Sequence, residues 1–375
     1  MSDPIPLALP AIGERERELV ADVLTSGRLA LGPMVERFEH LVAAAVDAPH
    51  AVAVSSGTTG LHLAVRMAEI SAGDEVITSP FSFVASANCV LYEGAKPVFV
   101  DIDPDTFNLD PAAVESAITP RTRAILPIDI FGYPVELDEL RDIAARYELA
   151  LIQDSCEALG ARYRGQALGS HGHPTVFAFY PNKQITTGEG GALVVATEEE
   201  WRLAKSLANQ GRADSGGWLE HARLGFNYRM SDVTAAIGVG QLEKLDEVLA
   251  ARSTAATRYT EALDVVPGLE TPCSDDPDHT RSWFVYVVKL ASEIDREAVI
   301  SQLADAGIST SRYLPPIHLQ PYMREQFGFR EGMFPVCEDT SSRTLALPFF
   351  TDIAEHQQER VCDAVARAVS STPSA

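Results

Sequence analysis

Lysine is scarce in this chain: 375 residues contain five, at Lys96, Lys183, Lys205, Lys244 and Lys289, and the other positive side chains are arginines. A lysine in an unusual setting therefore asks for a chemical explanation. Net positive charge is missing too. Thirty basic residues against 53 acidic ones leave −23, which repels nucleic acid and anionic membrane surfaces. One small phosphorylated ligand is still permitted, if backbone N–H groups and a few cations hold it. No run of about 18 apolar residues exists to cross a bilayer. The N-terminal MSDPIPLALPAIGERERELV is acidic early and broken by prolines, so it is not expected to be a secretory leader. The five cysteines are widely spaced with no CxxC, the pattern of reduced thiols in a cytoplasmic protein. Metal-ligand spacing is absent as well. The HGH at His171–His173 reads as a polar turn, and no metal is expected.

Between about 51 and 195, short β-branched runs alternate with helix-like segments: AVAV, DEVITS, PVFVDI, RAILPI, LALIQD, TVFAFY and GALVVA. Buried runs alternating with helices predict an α/β fold with a mostly parallel sheet covered on both faces. Ligands then bind at the carboxyl ends of strands. The Ala-rich stretch 231–263 predicts one long helix, or two, leading into a smaller C-terminal α+β domain. In that domain WFVYVVKL (283–290) is a strand and DREAVISQLADAG (295–307) a helix stopped by Gly307. The division expected is 1–244 for the large domain with its N-terminal arm and 245–375 for the small one. The closing SSTPSA is expected to fray.

Three features carry chemistry. SSGTTG (55–60) lies between a strand and a helix, where free N–H groups and the helix dipole favour an anion; a plain N-cap is the alternative. Asp154 closes a buried strand, placed to hold a cationic group. Lys183 follows the next strand, so two strand ends present an acid and an amine to one crevice. Only a deprotonated amine attacks a carbonyl, and arginine stays charged. Lysine, acid and anion cradle together suit pyridoxal 5'-phosphate.

The long motifs SGRLALGPMVERFE (26–39), VSSGTTGLHLAV (54–65), GDEVITSPFSFVASANCVLYEGAKPVFVDID (73–103), QDSCEALGA (153–161), FYPNKQITTGEGGALV (179–194), GFNYRMSDVTAAIGVGQLEKLD (225–246) and PPIHLQPY (315–322) run through nearly the whole chain. Together they resemble the DegT/DnrJ/EryC1/StrS group, nucleotide-sugar aminotransferases of fold type I. The resemblance implies a seven-stranded large-domain sheet and catalytic residues Lys183, which forms the Schiff base, and Asp154, which pairs with the ring nitrogen. It implies cofactor contacts from Gly57, Thr58, Phe83 and Glu157, with Asn227 reaching the partner's cofactor across a homodimer. Tyr313, His318 and Arg229 fall in segments that approach the sugar nucleotide. Pyridoxamine phosphate is the implied intermediate form, L-glutamate the implied donor, and a nucleotide-linked keto sugar the implied acceptor.

Some positions depart from the common pattern. Ala178 stands where many relatives have a phosphate-binding serine, and Glu157 where many have Gln or His. Asp129, in PIDIFGYP, stands where a histidine is frequent. Glu157 with NKQITTGEGG is similar to the perosamine-synthase-like branch, which acts at C4. A sugar dehydratase of the same fold replaces the lysine with histidine, so Lys183 counts against it. A keto-cyclitol aminotransferase stays open. A binding-only regulator usually appends a DNA-binding domain, for which this acidic chain is expected to have neither room nor charge.

Overall fold

The computed structural model describes residues 3–213 and 220–371. The fraying expected at the C-terminus concerns mainly 372–375, outside the described residues. Among the described residues, ten strands belong to the first two-thirds of the chain: β1 (His50–Val54), β2 (Glu75–Thr78), β3 (Lys96–Phe99), β4 (Thr122–Leu126), β5 (Ala150–Leu151), β6 (Gln153–Asp154), β7 (Arg162–Tyr163), β8 (Gln166–Ala167), β9 (Thr175–Ala178) and β10 (Gly191–Val195). β5 and β6 are two halves of one strand interrupted at Ile152, whose N–H still donates to Ile125 O at 3.0 Å. The large sheet therefore has seven positions, in the order β3-β2-β4-β5/β6-β9-β10-β1.

Every neighbour pair is parallel except those of β10, which is antiparallel to both β9 and β1. The reason lies in the connection. A parallel return needs a crossover, commonly a helix, and between Ala178 and Gly191 the chain instead folds back on itself, with Phe179 N–H donating to Gly190 O. Because β1, β2, β4, β6 and β9 run the same way, their carboxyl ends gather on one edge of the sheet.

Helices cover both faces. One core holds Phe38, Val42, Leu137, Leu140, Ile143, Phe177, Phe179 and Val239. The other holds Leu61, Val65, Val76, Phe81, Leu126, Val176 and Leu193. The helix Leu137–Arg146 shows why these segments fold as they do: Leu137, Leu140, Ile143 and Ala144 recur at helical spacing and are its buried residues. Stretch 231–263 forms two helices, Asp232–Leu242 and Leu245–Leu263, parted at Lys244.

The C-terminal part adds β11 (Leu269–Glu270), β12 (His279–Thr280), β13 (Tyr286–Leu290) and β14 (Thr344–Leu347). A third core of Tyr259, Tyr286, Leu290, Leu303, Val361 and Val365 also takes in Ile5 from the N-terminal arm. The two parts are stitched together: β12 pairs antiparallel with β7. No helix among the described residues is long and apolar enough to cross a membrane.

Candidate active site

The gathered strand ends open into a cavity of about 540 Å³, a size suited to a cofactor with a small substrate. Asp154, at the end of β6, is 4% exposed. Its Oδ2 accepts from Ser86 Oγ at 2.8 Å and its Oδ1 from Cys156 N–H at 3.1 Å. Ser86 sits on the helix Ala85–Leu91, one turn beyond Phe83.

Lys183 stands on the turn after β9, its side chain 13% exposed. Nζ lies 3.5 Å from Glu157 Oε1 and 3.9 Å from the centre of the Phe284 ring. The turn is tied down from below. Gln184 Nε2 donates to Glu157 O at 2.7 Å and to Ser282 Oγ at 2.9 Å, and Thr187 N–H donates to Phe179 O at 2.9 Å. Glu157 Oε2 accepts Phe131 N–H at 2.9 Å. Burial pushes the Glu157 carboxyl above its ordinary range, while Lys183 and the Phe131 N–H pull it back. Opposite, Asn182 Nδ2 donates to Tyr313 Oη at 3.2 Å, and burial, with the Glu157 charge nearby, pushes the Tyr313 phenol up to about 12.

The third wall is the N-terminus of the helix Gly57–Met67. Ser56 caps it, its Oγ accepting Thr59 N–H at 3.2 Å, and Thr59 Oγ1 accepts Ser56 N–H at 3.0 Å. Among the described residues the N–H groups of Gly57 and Thr58 have no acceptor, so they and the helix dipole offer a place for an anion. A Cβ at Gly57 would sit 2.7 Å from Ala178 Cβ and 2.8 Å from Cys156 Sγ, and one at Gly191 would sit 2.6 Å from the Ser56 carbonyl. Gly191 lets β10 meet the backbone of the cup, and Gly57 leaves room for the side chains of Ala178 and Cys156. Phe83, 62% exposed, leaves a ring face bare over the opening. Free N–H groups, an acid, an amine and a bare aromatic face in one cavity fit pyridoxal phosphate at its phosphate, ring nitrogen, aldehyde and ring face.

Gly57, Thr58, Phe83, Asp154, Glu157, Lys183 and Tyr313 thus share one cavity wall. Three other candidates do not reach it within the chain. His318 is fully buried, its Nε2 3.0 Å from Glu338 Oε1 and its ring against Phe334. The short turn Ile317–Leu319 places it in the core, outside the lining of the cavity. Arg229 is hydrogen-bonded to Asn209 and Gln210. Asn227 pairs with Asn209 in an isolated antiparallel bridge. Ser86, Asn182 and Phe284 line the cavity without having been singled out by sequence. The Ser86 signal was present, one helical turn after Phe83; Phe284 looked like an ordinary strand residue.

The sequence profile of one family matches residues 10–366. The chain belongs to the DegT/DnrJ/EryC1/StrS aminotransferase family. It is similar to the Bacillus subtilis spore coat polysaccharide biosynthesis protein SpsC, 37% identical over 374 residues that cover 96% of each chain. Among solved structures, S. venezuelae DesV superposes with a TM-score of 0.92 at 34% identity, covering 98% of this chain and 99% of DesV. Spr1654 of Streptococcus pneumoniae in its PLP form gives 0.93 at 26% identity, covering 98% and 99%. This family member is a pyridoxal phosphate-dependent aminotransferase.

Proposed function

We propose that this aminotransferase moves the amino group of L-glutamate onto the C4 ketone of a nucleotide-linked 4-keto-6-deoxysugar. The observation that carries the C4 reading is Glu157 against Lys183, an acid at a position where many relatives have Gln or His. The name of SpsC, a polysaccharide biosynthesis protein, supports a sugar acceptor.

Bound pyridoxal phosphate supplies an aldehyde that takes up the donor's amino group and a ring that spreads the charge left when the Cα–H bond breaks. In this reading the Gly57 and Thr58 N–H groups bind the phosphate. Asp154 holds a proton on the ring nitrogen, and Phe83 covers one ring face. Lys183 Nζ removes the proton from the α-carbon of glutamate and, in the second half-reaction, delivers one to sugar C4. Glu157 shares that proton with Nζ. Tyr313 orients the acceptor. We place Asn227 of the partner subunit on the phosphate of a homodimer, and the enzyme in the cytoplasm, where its five free thiols stay reduced. The helix beginning at Leu245 marks the proposed division between a large domain, 1–244, and a small one, 245–375.

The test is a panel of keto-sugar nucleotides offered with glutamate and read by product mass. Amination of a 4-keto-6-deoxysugar is expected. Amination confined to 3-keto sugars, or to keto-cyclitols, would overturn the assignment. A yellow enzyme that glutamate fails to bleach would point to another donor or to a binding-only protein.

A further inference from the structure

Asp129 is a fully buried carboxylate with, among the described residues, no cation among its hydrogen-bond donors and no place on the cavity wall. It lies in the loop after β4, directly behind β6. Its Oδ2 accepts from Ser155 Oγ at 2.5 Å and from Gln153 Nε2 at 3.0 Å. Its Oδ1 accepts from Gln153 Nε2 at 3.1 Å and Val135 N–H at 3.0 Å, and its own N–H donates to Asp154 O at 3.0 Å.

These partners have a pattern. Side chains alternate along extended backbone, so residues 153 and 155 point away from the face to which 154 points. Asp154 faces the cavity; both flanking side chains turn back onto Asp129. One residue therefore fixes the two neighbours of Asp154 and the Asp154 peptide as well. His173, on the loop before β9, extends the arrangement, with Nε2 2.8 Å from Gln153 Oε1. Asp129 also holds the adjoining loop through Val135 N–H, but that loop does not depend on it. Asn108 already clamps that loop, donating to Tyr133 O and Pro134 O, each at 3.0 Å, and accepting Ile130 N–H at 3.0 Å. An acid buried among neutral donors is costly, and burial raises its pKa to about 7. Costs of this kind concentrate at functional sites.

We infer that Asp129 is the positioning residue of Asp154: by gripping Gln153 and Ser155 it aims the Asp154 carboxylate at the ring nitrogen of the cofactor. The inference rests on Asp154 being that nitrogen's partner. A misaimed carboxylate forfeits a charge-assisted hydrogen bond, and the loss should vanish where Asp154 can no longer make it.

The experiment measures the PLP dissociation constant, by absorbance of the bound cofactor, in wild type, D129A, D154N and the double variant D129A/D154N. D129A is expected to weaken binding about tenfold in the wild-type background, the scale of one hydrogen bond to a charged group. It should weaken binding less than about twofold in the D154N background, since the two changes act on one interaction. D129N, which keeps the contact with Val135, should recover part of the loss. Equal losses in both backgrounds would make Asp129 a structural residue only and overturn the inference. So would a folded D129A that binds as tightly as wild type. D154N binding as tightly as wild type would instead overturn the role of Asp154, and this inference with it. Should D129A fail to fold, S155A removes one donor at smaller cost, and the same comparison of backgrounds decides.

Discussion

Ser86 Oγ and Asp154 Oδ2 are 2.8 Å apart, the serine donating to this carboxylate from the helix Ala85–Leu91. A hydrogen bond to a charged group contributes about 1.5–3 kcal/mol. S86A is therefore expected to lower kcat by roughly tenfold or more while leaving the melting temperature nearly unchanged. Steady-state kinetics beside a thermal scan check this; an unchanged kcat would show that the contacts from Cys156 suffice without Ser86.

The crowding between Gly57, Ala178 and Cys156 makes two substitutions diverge. G57A forces a methyl into occupied space, at a cost of about 1–3 kcal/mol, and should lose both stability and PLP affinity. A178S restores the hydroxyl common among relatives and should tighten PLP binding by about threefold to tenfold, one added hydrogen bond. Cofactor titration of both variants reads the outcome. Looser binding in A178S would mean that the cup has no room for the oxygen.

Removing Lys183 strands a buried carboxylate. The pKa of Glu157 is already raised by burial, and loss of the amine raises it further. In K183A the folded chain keeps Glu157 protonated where the unfolded chain ionises it, so the unfolded state binds fewer protons. Stability then falls as pH rises from about the ordinary glutamate value of 4.5 toward the raised folded value, and levels off above it. Melting temperatures of K183A across pH 4.5 to 8 should decline more than those of wild type, and K183A/E157Q should abolish the extra decline. Parallel curves would dissolve the pairing.

Asn227 is tested by mixing subunits. If it serves the partner's site, a hybrid of K183A and N227A subunits contains one site with both residues intact. Activity should then reappear on mixing two impaired homodimers, approaching half of wild type per hybrid. If Asn227 serves its own subunit, both hybrid sites carry a defect and mixing restores nothing.

Much of this site could be read from residue order. Asp154, Lys183 and the Ser55–Gly60 turn each follow a strand, and the carboxyl ends of adjacent parallel strands must converge. Three things were hidden. Buried strands carry no sign of direction, so β10 gave no warning that it runs against its neighbours. Phe284 reaches Lys183 through tertiary packing, which no local pattern encodes. His318 occupies a segment that suggested substrate contact, but which way its ring points is set by the turn at Ile317–Leu319 and by Phe334 and Glu338. The alternation that turns Gln153 and Ser155 onto Asp129 was implicit in β6; their partner in the loop after β4 was not.

The shortage of lysine has an analytical consequence. Lys205, Lys244 and Lys289 are engaged with Glu39, Glu16 and Glu270, so few amines compete for an aldehyde. Fixing the cofactor with borohydride and digesting with trypsin should tag one fragment, Gly165 to Arg202, because the modified Lys183 is no longer cleaved. That single labelled peptide would report occupancy of the site directly in a cell extract, without a substrate in hand.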